Sequence, residues 1–276
     1  MAEVAQGPRH SAGPPPRDTR ETIRRIVLVL SVLLFIGSAV YLVKYYGERW
    51  LARQEMSAVQ ESARTRGLAV PAPETPFAFG AFEPRTREAL DELTATNPDF
   101  IGWITIPNTN IDYPVVAGVD NVKYLSTTFE GNRRSAGTVF LEKGAQLDFS
   151  SQNSVLYGHN MLDKTMFQNL VLLRAPATRE GIDTVYLQKP NGVVNVYRIF
   201  TAYVCKPDYD YRNPQYSEED FPAFVERMVM PSEIPVPTDV DISFDDRFLG
   251  LSTCVYDFND ARYVVHAVLE HEVPTQ

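Results

Sequence analysis

The run IVLVLSVLLFIGSAVYLV, residues 26–43, carries no charged side chain and constrains this chain more than any other segment. At 1.5 Å rise per residue, a helix of about 20 residues matches a hydrocarbon core of about 30 Å, so the run predicts a membrane-spanning helix over residues 26–46. A buried helix of a soluble core is the first competing reading. Such helices carry a polar stripe, and this one offers only Ser31, Ser38 and Tyr41. A cleaved signal peptide is the second. Its apolar part is usually ~7–15 residues long and ends at a small-x-small site, whereas this one continues to Val43 and meets Lys44, Tyr45, Tyr46 and Trp50. An uncleaved anchor is the expectation. Arg17, Arg20, Arg24 and Arg25 precede the span. The positive-inside rule then keeps the N-terminus in the cytoplasm and puts everything after Val43 outside the cell.

The flanks differ in kind. Residues 1–25 are rich in Pro, Gly and Arg without an apolar period, the composition of a disordered cytoplasmic tail. Residues 47–84 read as a helical stem ending near Gly67, followed by the proline-rich, extended LAVPAPETPFAFGAFEPR. A boundary near residue 85 opens an extracellular domain over 85–276. Its first element is a short helix over 86–96 that stops before Asn97-Pro98.

The period then changes. FIGWITI, TNIDYPVV, GTVFLE, NSVLYGH, TVYLQ, VVNVYRIFTAYVC, RFLGLSTC and RYVVHAVLEHEV are short, rich in Val, Ile, Tyr and Thr, and separated by Gly, Pro, Asn and Asp. Eight such segments predict a mainly β domain, a closed or sandwiched antiparallel sheet with a β-barrel as its natural architecture. Helices are expected over 163–174 and 217–230. In the second, Ser217 is the cap, Glu218, Glu219 and Asp220 sit at the positive end of the dipole, and Phe221, Phe224, Val225, Met228 and Val229 form an apolar stripe. A hydrophobic content of 44% supports a sizeable core, and 26 basic against 35 acidic residues leave no positive excess to neutralise phosphates. Nucleic acid is not an expected partner.

Chemistry concentrates near the C-terminus. A reactive cysteine needs a proton-transfer partner and donors for the oxyanion of a tetrahedral intermediate. Cys254 follows Ser252 and Thr253, whose small side chains leave room for a peptide. His159 sits in LYGHNM after a glycine that permits close approach, and Arg262, across a short loop from Cys254, supplies a fixed charge and planar donors. Of the other histidines, His10 is cytoplasmic in this topology and His271 is near the terminus. His266 lies four strand residues, about 13 Å, from Arg262, and reads as a core or sheet-face residue. The rival reading pairs Cys254 with Cys205, the only other cysteine, in a disulfide of a non-enzymatic anchored binding module. Against it, strand alternation places Cys205 on a packed face with Tyr197, Ile199 and Tyr203. No CxxC or HxxxH spacing exists, so neither a metal nor another cofactor is expected. Papain-like enzymes place Cys before His, the reverse of this order. An L,D-transpeptidase would want a histidine almost adjacent to its cysteine, and LSTCVY has none.

LSTC followed eight positions later by Arg262, with YGHN earlier, resembles the sortases, membrane-anchored cysteine transpeptidases of Gram-positive bacteria. The resemblance spans about Leu90 to Val273. Within the family, DFIGWITIPNTNIDYPVV, DNVKYL, YGHNMLDKTMFQNL and LSTCVYDFNDARYVV look most like class B. The resemblance implies an eight-stranded sortase β-barrel with His159, Cys254 and Arg262 as the catalytic trio. The implied substrate is a C-terminal sorting signal similar to Asn-Pro-x-Thr-Asn, and the implied acceptor is an amine of a peptidoglycan precursor or a pilin lysine. Asn160, Ser252, Thr253, Tyr256, Tyr209 and Tyr211 are the expected peptide contacts. The helix near 217–230 would help wall the groove, with the loop KPDYDYRNPQ facing the peptide. The loop from Cys254 to Arg262 is shorter than in some sortases.

Overall fold

The eight alternating segments become eight strands: β1 (Phe100–Thr105), β2 (Asp112–Val116), β3 (Val139–Leu141), β4 (Asn153–Tyr157), β5 (Thr184–Gln188), β6 (Val193–Cys205), β7 (Phe248–Cys254) and β8 (Arg262–Pro274). They close into a barrel in the order β1-β2-β3-β4-β7-β8-β6-β5, which leaves no free edge. The computed structural model describes residues 19–65 and 82–275. The tail up to residue 18 and the linker over 66–81 lie outside the described residues. One face of each strand fills the barrel, with Ile104, Val115, Leu156, Leu187, Leu249 and Val265 all in one buried cluster.

The sheet is not purely antiparallel as expected, because β2–β3 and β4–β7 pair in parallel. Alternation specifies which face a side chain takes, not strand direction. Parallel neighbours need long connections, and residues 117–138 and 158–247 supply them. The face pattern of β6 also departs from simple alternation. Its pairing with β8 shifts register between Ile199 and Thr201, so Tyr197 and Ile199 point into the barrel while Tyr203 and Cys205 join a cluster on the outer face. The extra residue of a bulge inverts side-chain parity, which simple alternation across the segment misses.

Four α-helices are present among the described residues: α1 (Thr19–Thr65), α2 (Arg87–Thr96), α3 (Pro176–Arg179) and α4 (Phe221–Val229). The apolar run and the stem form one continuous helix, α1, and it is the one described helix long and apolar enough to cross a membrane. Residues 48–65 of α1 belong to the same compact unit as the barrel. Arg64 on α1 and Arg85 beyond the linker both pair with Asp112 on β2, at 2.9 and 2.6 Å, and Trp103 Nε1 also donates to that carboxylate. Burial lowers the pKa of Arg85 to about 10, against the raising influence of Asp112.

Thr86 caps α2 by accepting from Ala89 N. α4 starts at Phe221 rather than Ser217. Residues 217–220 form a turn in which Ser217 Oγ accepts from Asp220 N, and the apolar stripe then buries Phe224 and Met228 against the outer face of the barrel. The helix expected over 163–174 is a 3₁₀-helix over Phe167–Arg174, preceded by a turn with Lys164 and Met166 at positive φ.

Candidate active site

Cys254 is the last residue of β7 and Arg262 the first of β8, and they face each other as a cross-strand pair. Directly opposed residues point to the same face with Cβ atoms about 5 Å apart. The turn between them is closed by Val255 N donating to Ala261 O at 3.0 Å, with Asp260 at φ +60°. Arg174 ties that turn to the barrel, donating to both oxygens of Asp257 and pairing with Glu233. Arg262 Nη1 donates to Asp260 O at 2.8 Å, which leaves further guanidinium donors for a ligand.

His159 arrives from the neighbouring strand. β4 runs parallel to β7, Tyr157 opposite Ser252, so both strands end at the same rim. Past that rim, Gly158 N donates to Ser252 O at 3.2 Å and Asn160 Nδ2 to Cys254 O at 2.7 Å, which ties the loop bearing His159 to the end of β7. His159 Nε2 lies 2.8 Å from Leu125 O. A carbonyl only accepts, so Nε2 carries hydrogen here and Nδ1 remains for a second proton. Gly158 is needed for packing: a Cβ there would lie 2.6 Å from Cγ of the buried Phe167 ring.

Cysteine, histidine and arginine line one cleft of about 230 Å³. Its walls include Ser252, Thr253 and Tyr211 from the expected peptide contacts, and Tyr211 OH shares a hydrogen bond with Ser252 Oγ at 3.0 Å. The other three expected contacts lie outside the lining. Asn160 is spent on Cys254 O. Tyr209 donates to Arg227 O at 2.9 Å and packs on Tyr203, holding α4. Tyr256 stands exposed on the turn after Cys254. Residue types alone did not mark Leu125 and Tyr157, which also line the cleft, while Pro207 and Arg212 line it from the loop expected to face the peptide. Glu142 accepts from Asn121 Nδ2 and Tyr157 OH, and the exposed Arg212 lies over the Tyr211 ring and interacts with Tyr157 and Glu142.

Both cysteines are free thiols. Cys205 and Cys254 pair with Arg262 from opposite sides, on β6 and β7. With strands about 4.8 Å apart, the two backbones are about 10 Å apart, beyond disulfide reach. Cys205 is buried, and that burial pushes its thiol up to about 12 despite the lowering influence of Arg262. His266 shares the outer face with Arg262, four rungs away, and is wholly buried beneath α4 against Tyr203 and Phe224. Burial lowers its pKa to about 3.

A closed barrel with an exposed cysteine at a strand end, an arginine across the rung and a histidine on the adjoining loop is the frame of a cysteine acyltransferase. The sequence pattern of the Sortase domain matches residues 104–270, and the chain belongs to the sortase family of cysteine transpeptidases. Within it the relatives are of class B. Sortase B of Listeria monocytogenes is 30% identical over 193 residues, covering 66% of this chain and 74% of that one. A Staphylococcus aureus sortase B–substrate complex superposes with TM-score 0.67 at 25% identity, covering 81% of this chain and 98% of that one. A Streptococcus pyogenes class B sortase involved in pilus biogenesis gives TM-score 0.58 at 26% identity, covering 65% and 97%.

Proposed function

We propose that this enzyme cleaves a C-terminal sorting signal of exported proteins and transfers the acyl group to an amine of the cell-wall precursor. The observation that carries the reading is the Cys254–Arg262 rung with the His159 loop tied to its end in a single cleft. The Cys254 thiolate attacks the carbonyl carbon of the signal's threonine, and the developing oxyanion is held by Arg262. The C–N bond then breaks, the departing amine takes a proton from the His159 imidazolium, and a thioester remains on Cys254. The acceptor amine attacks that thioester and its proton passes to His159. The C–S bond breaks, and Cys254 leaves as thiolate.

In this reading residues 26–46 anchor the chain as a single span, 1–25 stay in the cytoplasm, 47–84 form the stem and linker, and 85–276 are the extracellular catalytic domain. Ser252, Thr253 and Tyr211 contact the signal from the cleft wall, and Arg212, in the connection before α4, contributes to its selection. A pilin lysine as acceptor is the second reading, favoured by the likeness to the pilus-biogenesis enzyme.

Full-length protein in detergent, given fluorogenic Asn-Pro-x-Thr-Asn-type peptides with and without an added amine, tests the reading. Cleavage accompanied by an amide product is expected, and cleavage to the free acid alone with amine present would mark a peptidase. His159→Ala and Arg262→Lys are each expected to lower turnover by about 10²–10⁴-fold, the usual loss of a proton-transfer or oxyanion group, since a point charge does not replace a planar fork.

A further inference from the structure

Residues 48–65 of α1 touch both chain segments between which His159 is held. Ala52, Val59 and Ala63 are buried on one helical stripe, and Met56 packs on the barrel-interior cluster that contains Met161 and Met166. On one side of His159, Arg53 Nε donates to Asp163 Oδ2 at 2.7 Å. The other oxygen of Asp163 accepts from Thr165 N and Thr165 Oγ1, forming the turn that returns the His159 loop to the barrel. That loop is closed by Phe167 N donating to His159 O at 2.9 Å and by the Asn160–Met166 bridge. It includes Lys164 and Met166 at φ +66° and +57°. Positive φ at such residues is strained, so the loop needs outside support to stay in this conformation.

On the other side, Glu55 Oε1 pairs with Arg134 Nη2 at 2.9 Å, both side chains being largely buried. Arg134 N donates to Ser126 O at 3.0 Å, next to Leu125, whose carbonyl accepts from His159 Nε2. The helix therefore grips the loop that carries the imidazole and the strand of chain that holds its Nε2.

We propose that Arg53, Glu55 and Met56 are positioning residues for His159, so that the stem of α1 is part of the catalytic apparatus rather than a passive spacer. The proposal rests on the role given to His159 above. Magnitudes separate it from a merely structural role. Arg53 is half exposed, and Asp163 keeps its two bonds from Thr165 without it, so the Arg53–Asp163 pair is screened by solvent and adds little to stability. Displacing a reacting group by about 1 Å costs up to about 10²-fold in rate. Loss of the brace should therefore appear in turnover well before it appears in melting temperature.

The test uses full-length protein in detergent carrying Arg53→Gln, Glu55→Arg, Arg134→Glu, or Glu55→Arg with Arg134→Glu. Arg53→Gln and Glu55→Arg are each expected to lower kcat about tenfold with KM within about twofold, because the cleft wall from β7 and residues 207–212 is untouched. Arg53→Gln should leave the melting temperature within about 2 °C. The double reversal restores the pair with opposite polarity and should recover most of the lost kcat. The alkylation rate of Cys254 by iodoacetamide should fall in the same order, a readout that needs no peptide. Folded variants with normal kcat and alkylation, or losses confined to melting temperature, would overturn the proposal. If Glu55→Arg fails to fold, Arg53→Gln decides. A wild-type protein that cleaves no signal peptide would sink the proposed function while the alkylation series still judges the brace.

Discussion

Gly158→Ala probes the contact that sets the path of the chain into His159. The added Cβ would lie 2.6 Å from Cγ, 2.8 Å from Cδ2 and 3.0 Å from Cδ1 of Phe167. Carbon atoms prefer about 3.5–4.0 Å, so the shortfall is about 1 Å. The clash is at the base of the ring, where rotation gives no relief, and Phe167 has no exposed surface. Either the ring is driven into a close-packed interior, or the backbone at Gly158 moves outward and takes His159 with it. Overpacking of this kind costs about 1–3 kcal/mol. At about 2–4 °C per kcal/mol for a domain of this size, the melting temperature should drop by about 2–12 °C. Turnover should fall further than stability implies, by up to about 10²-fold, because the displaced residue adjoins the reacting group. Thermal denaturation by circular dichroism and initial rates of peptide cleavage give the two readouts. Phe167→Ala removes the atoms that clash. Combined with Gly158→Ala, it should cost less than the sum of the two single changes, since the residues share one contact. Unchanged melting and turnover in Gly158→Ala, or strictly additive losses in the pair, would refute the steric argument.

Three further outcomes are expected. A thiol reagent should modify Cys254 quickly and Cys205 only on unfolding. Cys254→Ala should abolish turnover, and Cys205→Ser should retain most of it. Two fast thiols would contradict the burial of Cys205. His266 has a folded pKa of about 3 against about 6.5 unfolded, so the unfolded chain binds the extra proton between those values and stability falls as pH drops through that window. Urea denaturation of His266→Leu between pH 7 and 4 should show a shallower acid limb than wild type, with turnover retained at neutral pH. An equal slope would mean that His266 is not the group responsible. Protease added to intact cells should destroy a tag at Gln276 and spare one at Met1, and the reverse pattern would invert the assigned topology.

The sequence by itself determined the features that are local in the chain. Eight alternating segments became eight strands because period-2 burial is a property of neighbouring residues. Thr86 announced its helix because a cap acts within one turn. The apolar run became helix because its length and lack of charge are local quantities. Cys254 and Arg262 were legible as a pair because a short turn joins them and forces them onto one rung.

Tertiary structure alone decided what depends on distant segments meeting. The parallel pairing of β4 with β7 brings His159 to the end of β7 across some ninety residues, and alternation carries no information about direction. The bulge in β6 turned Cys205 and Tyr203 away from the interior face of Tyr197 and Ile199, because one extra residue inverts parity without altering composition. Leu125 and Tyr157 entered the cleft because the connection after β2 and the end of β4 meet there beside the loop before α4, and neither bears a residue type that marks it beforehand. The packing of residues 48–65 onto the His159 loop was equally unreadable. A stripe of Ala, Met and Val shows that a helix face is covered, but the surface that covers it is settled only when Arg53 meets Asp163 and Glu55 meets Arg134 in the folded chain.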